Sequence, residues 1–267
     1  MCPNCRAFIT TDDKVCPYCD LKVGPSAVER RSPRAVLGGL IPAERFTTTV
    51  ILLINAGLYV ACTLYSMKAG GSAVDLDGQT LYDFGAKLTR AVFGGQWWRL
   101  VTAGFLHGGI LHILMNSWVL FDLGAQVEEL FGTSRYLVLY FVSTVAGFLA
   151  STYWSPSLSV GASAGIFGLI GAMLAFGLRD RTPYGQAIRG HFGRWAVYGL
   201  IIGLLPGFRI DMAAHLGGLA GGFGLAYFAG TPKLVQSWSE TAWRVAAGVC
   251  LALTAISFAL MFLNFPR

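Results

Sequence analysis

Between residues 136 and 178 the chain runs for 43 residues without an Asp, Glu, Lys or Arg. A helix on the surface of a soluble protein needs a polar face, so a run of this length belongs in lipid. One membrane-crossing helix takes about 20 apolar residues. The run therefore holds two, turning at Ser155-Pro156-Ser157. Other runs repeat the pattern. Residues 46–67 and 100–121 carry no formal charge, and neither do 212–232 and 246–266. Residues 190–208 carry only Arg194, near one end, where an arginine can snorkel. Seven membrane helices are predicted, giving an all-α polytopic membrane protein. Composition agrees: 54% of residues are hydrophobic and 13% are charged, where a soluble domain has about 25% charged. That excludes a disordered chain, and it would overfill the core of an ordinary soluble enzyme. The 34 glycines follow no collagen period and suit helices packed closely in a membrane.

The net charge is +6. The basic residues fall mostly in short segments between apolar runs, so they read as orientation signals and not as a nucleic-acid surface. The N-terminal tail holds Arg6, Lys14, Lys22, Arg30, Arg31, Arg34 and Arg45, and the connection between spans four and five holds Arg179, Arg181, Arg189 and Arg194. The connection between spans three and four has no Lys or Arg, but the first loop carries Lys68, Lys87, Arg90 and Arg99. The expected topology has the N-terminus in the cytoplasm and the C-terminus outside, in a plasma or inner membrane. No cleavable signal peptide is expected, because a Cys-rich polar stretch follows Met1 at once. Tyr82, Phe84, Trp97 and Trp98 in the first loop suit either a segment lying in the outer interface or a surface loop. The sequence carries no signal for an oligomeric state.

Two CxxC pairs, Cys2-Pro3-Asn4-Cys5 and Cys16-Pro17-Tyr18-Cys19, stand ten residues apart at the N-terminus. Four thiolates at this spacing make a tetrahedral site, for which a structural zinc is the default occupant. Iron in the same tetrahedron and two redox pairs are the alternatives. Residues 1–24 read as a four-cysteine, zinc-ribbon-like knuckle too small to fold without a metal. Residues 25–45, with Pro25, Pro33 and Pro42, read as a basic linker.

Polar groups at membrane depth are costly and functional by default. His112 and Asn116 share one face of the second span. They could glue helices together or donate to one developing negative charge. Ser163 lies in Gly161-Ala162-Ser163-Ala164-Gly165, where a serine is usually a packing residue. Its place at the start of span four, however, puts it beside free N–H groups and the positive end of the helix dipole. His215 shares a face of span six with Gly218 and Gly222, and span four offers a matching small stripe at Ala164, Gly168, Ala172 and Ala175. Packing these faces would bring His215 to Ser163 at similar depth, as in a nucleophile–base pair. No acid lies in the uncharged part of any span. Asp211, one turn before His215, is expected to face the outer surface.

These residues resemble the rhomboid family of intramembrane serine proteases over about residues 46–230. Gly161-Ala162-Ser163-Ala164-Gly165 resembles its GxSxG motif, and His112-Ile113-Leu114-Met115-Asn116 its HxxxN motif. Ala214-His215 with Gly218 and Gly222 resembles its sixth-helix segment, and Trp98-Arg99 its WR pair. The resemblance implies a six-helix core plus one C-terminal helix, with residues 231–267 supplying a linker and the seventh span. It implies a Ser163–His215 dyad with His112 and Asn116 at the oxyanion, no cofactor for catalysis, and transmembrane proteins in the lipid bilayer as substrates. Phe167 takes the place of an aromatic that packs on the catalytic histidine, and Glu128 or Glu129 resembles an acid that stabilises the fold. Helix five and the loop Pro206-Gly207-Phe208-Arg209 are candidate gates. A silent relative that binds membrane clients would usually lack the Ser or the His. A transporter would show broken helices, repeats or buried carboxylates.

Overall fold

The computed structural model describes residues 2, 4–5, 7–9, 13, 15–21, 23, 45–204, 210–232 and 238–266. All but the last residue of the basic linker, and the Pro206–Arg209 gate candidate, lie outside them. The chain divides into two compact units, Met1–Glu44 and Arg45–Arg267. The second is helical. Its only β pairing among the described residues is two isolated antiparallel bridges, Asp75 to Gly109 and Lys87 to Ser159.

The chain is an all-α polytopic membrane protein. Its helices are α1 (Phe46–Lys68), α2 (Gly78–Asp83), α3 (Thr89–Phe93), α4 (Arg99–Thr102), α5 (Ile110–Trp154), α6 (Ser163–Arg179), α7 (Pro183–Gly203), α8 (Met212–Ala229) and α9 (Trp238–Leu263). Of these, α1, α5 and α9 are long and apolar enough to cross a membrane, and α6 is apolar but shorter. The 45-residue α5 is two limbs joined at Gly132, whose φ of 75° and ψ of 157° break the helix. A side chain is strained there and glycine is not.

The second apolar run does not form one helix from residue 100. Its first part folds as α4, the 3-10 turn Ala103–Phe105 and an extended stretch through Gly109 (φ −170°, ψ 166°), and α5 begins only at Ile110. The helix then continues past Asp122 and Glu128, beyond the uncharged run. Glu128 can sit inside because Thr47 and Thr133 hydroxyls donate to its Oε1 at 2.5 and 2.9 Å. Glu128 is buried and Glu129 exposed, so Glu128 is the acid that ties α1 to α5.

The first loop is folded. Asp77 caps α2 by accepting from the Thr80 N–H at 2.8 Å. Leu76, Leu81, Phe84 and Leu106 pack with Tyr59 of α1 and Ile113 of α5. Arg99 is buried, donating from Nη1 to the Tyr82 and Ala86 carbonyls at 2.7 and 2.9 Å. Trp98 is buried and Trp97 exposed.

Helix α6 is buried along most of its length and packs against α5, α7 and α8. Glycine permits its closest contact. A Cβ added at Gly218 would collide with the Ala164 carbonyl, one at Gly222 with the Gly168 carbonyl, and one at Gly171 with the Leu219 carbonyl. The small stripes on spans four and six therefore meet backbone to backbone.

Helix α9 is held by one two-pronged ion pair. Arg135 Nη1 and Nη2 each donate to a Glu240 oxygen at 2.7 Å, with the Arg side chain 3% and the Glu side chain 19% exposed. Breaking a fully buried pair from one side costs about 3–5 kcal/mol. For this partly exposed pair Glu240→Ala should cost about 3 kcal/mol, measured as a loss of unfolding free energy in detergent. An unchanged unfolding midpoint would show that α9 is held by its apolar contacts alone.

Candidate active site

Ser163 is the first residue of α6, following Ala162, which gives the helix no side-chain cap. The segment that delivers it is extended and pinned: Ser159 pairs with Lys87 through two backbone hydrogen bonds of 3.0 and 2.9 Å, and the Gly161 N–H donates to the Ala103 carbonyl at 2.9 Å. Gly161 has a φ of +137°, which L side chains rarely adopt, and a Cβ there would lie 2.8 Å from His112 Nε2 and 3.3 Å from Ser163 Oγ. The bare face of Gly161 is thus where the serine hydroxyl and the His112 imidazole converge.

His215 comes from the first turns of α8. It is 6% exposed, and its ring stacks on Phe167 with centroids 4.2 Å apart and planes 19° apart. Phe167 is one turn beyond Ser163 on α6, so the stack holds the imidazole on the helix that carries the serine. His112 lies within electrostatic reach of His215. No hydrogen bond joins Ser163 to His215 among the described residues. Such bonds often tighten only in the substrate complex.

Asp211 is half-buried and has partners on both oxygens. It caps α8 through the Ala214 N–H at 3.0 Å, and Ser151 Oγ donates to its other oxygen. A carboxylate at a helix N-terminus satisfies free N–H groups and the dipole together. His215 Nδ1 is buried without a hydrogen-bond partner, so it bonds to neither Asp211 nor any other described carboxylate.

Asn116 is buried, and its Nδ2 has no hydrogen-bond partner. An amide donor left unpaired in a dry interior costs about 1–3 kcal/mol, so interhelical glue does not explain it. His107 joins this region without being singled out by the sequence reasoning. It is 1% exposed, both ring nitrogens lack partners, and its ring lies edge-on to His112 at 5.1 Å. The available signal is a second histidine five residues before His112. It falls outside any helix, and so outside the periodicity that marks His112 and Asn116.

The Rhomboid domain family model matches residues 94–232. The chain belongs to the rhomboid family. Ser163, His215, His112 and Asn116 all lie inside the match, and the four N-terminal cysteines lie outside it. The chain is similar to Rhomboid protease GluP of Bacillus subtilis (strain 168), with 36% identity over 200 residues, covering 74% of this chain and 37% of GluP. It is 38% identical over 141 residues to RHOMBOID-like protein 6, mitochondrial, of Arabidopsis thaliana, covering 52% of this chain and 45% of that one. With Rhomboid-like protease 3 of Toxoplasma gondii it shares 31% identity over 192 residues, covering 70% and 73%. The chain thus spans less than half the length of GluP and of RHOMBOID-like protein 6.

The cysteines form a cluster of their own. Their four Sγ atoms lie within 4.8 Å of one another, with Cys2–Cys19 and Cys5–Cys16 both at 3.6 Å. All are free thiols, since a disulfide needs about 2.05 Å. The two pairs sit in matching loops, in which the Cys2 N–H donates to the Ala7 carbonyl and the Cys16 N–H to the Leu21 carbonyl, each at 2.8 Å.

Gly161→Ala tests the convergence at the serine. The methyl group would meet His112 Nε2 and add about 1–3 kcal/mol of backbone strain. The protein should stay folded by thermal unfolding in detergent while reaction of Ser163 with a fluorophosphonate falls at least tenfold. Labelling at the wild-type rate would show that this face is not part of the site.

Proposed function

We propose that this rhomboid is an intramembrane serine endopeptidase that cleaves transmembrane segments of membrane proteins. The reading is supported above all by Ser163 and His112 meeting at the bare face of Gly161, with His215 stacked one turn along the same helix. In this reading His215 takes the proton from Ser163 Oγ as that oxygen attacks the scissile carbonyl carbon. The negative charge of the tetrahedral intermediate is met by the unpaired Asn116 amide, by His112 and by the N–H groups at the start of α6. The intermediate collapses, the peptide C–N bond breaks, and protonated His215 gives its proton to the leaving amine. Water, deprotonated by His215, then hydrolyses the acyl-serine. The Phe167 face takes the place of a third triad member, since an aromatic ring attracts the imidazolium that forms.

The length of α6 supports a recessed site. Seventeen residues make a helix of about 25 Å, short of the roughly 30 Å of hydrocarbon in a bilayer. A serine at its first residue sits below the surface and needs an extended lead-in such as residues 155–162. In the full proposal, α1, both limbs of α5, α6, α7 and α8 form the six-helix core, α9 is the seventh span, the N-terminus is cytoplasmic and the C-terminus is outside.

Fluorophosphonate labelling with a transmembrane substrate assay decides between a protease and a silent client-binding protein. Wild type should be labelled and should cleave. Ser163→Ala should do neither, while unfolding at the same temperature. Asn116→Ala should retain labelling and lose about 10²–10³ in turnover, the usual cost of one oxyanion donor. A folded wild type that takes no label would favour client binding.

For the N-terminal unit we propose a structural zinc held by Cys2, Cys5, Cys16 and Cys19. Zinc–sulfur bonds of about 2.3 Å in a tetrahedron give sulfur–sulfur edges of about 3.8 Å, and two of the edges are 3.6 Å. Four protein ligands leave no open position, so the metal would supply folding and not catalysis. Purified protein should carry one zinc per chain, and Cys5→Ser should lose it with cleavage intact. Iron with a visible charge-transfer band, or no metal with paired disulfides, would replace zinc by one of its alternatives.

A further inference from the structure

Lys87 is the most deeply buried cation in the described structure, with no exposed surface. It lies in the first loop, outside every helix, and takes no part in the chemistry above. A fully buried ammonium is expensive unless all its protons are bound. Here each of the three has an acceptor: Nζ donates to the carbonyls of Ser151 at 3.0 Å, Ser155 at 2.5 Å and Ser157 at 3.3 Å. These carbonyls close the C-terminal end of α5, where the helix dipole favours a cation.

That stretch leads to both reactive side chains. Toward the serine, the Lys87 backbone pairs on both sides with Ser159, four residues before Ser163. Toward the base, Ser151, whose carbonyl holds the ammonium, donates its hydroxyl to Asp211. Asp211 caps α8 through the Ala214 N–H, and its backbone carbonyl accepts from the His215 N–H at 3.1 Å. The Asp211 carboxylate also acts on the ammonium electrostatically, opposing the effect of burial. One residue therefore serves both ends: its backbone pins the segment that leads to the nucleophile, and its ammonium holds the Ser155 and Ser157 carbonyls of that segment and the turn from which Ser151 reaches the cap of the helix that delivers the base.

We propose, on the footing of the Ser163–His215 reading, that Lys87 is a positioning residue that sets the approach of these two side chains. Removing the ammonium frees the Ser151, Ser155 and Ser157 carbonyls, and so loosens the lead-in to Ser163 and the Asp211 cap together. Substrate binding is left in place and the attacking geometry is lost.

The test compares wild type, Lys87→Met, Lys87→Arg, Ser151→Ala and Glu240→Gln in detergent. The readouts are thermal unfolding, the rate of fluorophosphonate labelling per folded molecule, and kcat and KM on a transmembrane substrate. Glu240→Gln weakens the distant α9 ion pair and serves as the control for lost stability. Folded Lys87→Met should be labelled at least tenfold more slowly, with kcat reduced likewise and KM within twofold. Lys87→Arg, which keeps the charge and can donate to the same carbonyls, should recover part of the rate. Glu240→Gln should unfold earlier and label at the wild-type rate. Ser151→Ala, which removes one oxygen and leaves the Lys87 carbonyl contacts, should slow labelling to a smaller degree, and it carries the test if Lys87→Met does not fold. Wild-type labelling rates in folded Lys87→Met, or in Ser151→Ala where Lys87→Met does not fold, would overturn the proposal alone. So would an equal fall in Glu240→Gln. A wild type that takes no label would overturn the dyad reading, and this proposal with it.

Discussion

The contact between α6 and α8 is a meeting of two backbones, and the rest of the site depends on it. In lipid no hydrophobic force drives helices together, so association rests on close packing and hydrogen bonds. Gly171, Gly218 and Gly222 each stand where a Cβ would strike a backbone atom of the facing helix. Gly147 on α5 does the same against the Ala214 carbonyl, with a Cβ 2.6 Å away. The absence of side chains along this seam lets α8 approach until the His215 ring lies flat on Phe167. A seam lined with alanine or valine would hold the helices further apart and part the His215 ring from Phe167.

Much of this is legible in the sequence because a membrane leaves few choices. Every backbone polar group must be satisfied within the spanning segment, so a long uncharged run is a helix. A small residue every third or fourth position on such a helix marks the face that meets another. That logic finds the Ser163 and His215 elements and the facing stripes. It fails where the chain leaves regular helix. The run from residue 100 looks like one span because Gly108 and Gly109 carry no charge, yet the chain turns there before α5 begins. His107 sits in that turn and escapes notice for the same reason. The partners of Asp211 are not legible either, because Ser151 lies sixty positions away.

Several polar atoms near the serine are unpaired. Asn116 Nδ2, both His107 nitrogens and His215 Nδ1 are buried without partners. Each belongs to a rigid amide or ring that cannot turn one atom toward a new partner without moving the whole group. Away from the site, Asn55 Oδ1 is a further unpaired amide atom, the unpaired hydroxyls of Thr63, Tyr140 and Ser143 rotate about a single bond, and Glu128 Oε2 and Arg135 Nε belong to groups whose other atoms are bonded. Other buried groups are matched: Thr144 and Thr152 return to carbonyls one turn back, and Arg99 is bound by the first loop. Open donors on fixed groups beside the serine suit charge that develops there. In the proposed mechanism the cost of an orphan donor in the resting protein would be recovered when an oxyanion arrives, because a fixed donor in a dry site has no solvent to displace.

Burial also explains why charge counting gives a mixed signal for orientation. Lys68, Lys87, Arg90 and Arg99 all lie in the first loop and weigh against a cytoplasmic N-terminus when counted as free charges. Two of them are not free. Lys87 and Arg99 are buried inside the protein and bound by backbone carbonyls, where they hold local structure and offer nothing to lipid headgroups. Only Lys68 and Arg90 remain to set against the seven basic residues of the N-terminal tail. The rule of positive charge on the cytoplasmic side concerns cations presented to solvent and headgroups. Applied to the first loop, it sets Lys87 and Arg99 aside and leaves Lys68 and Arg90 as the cations that count there.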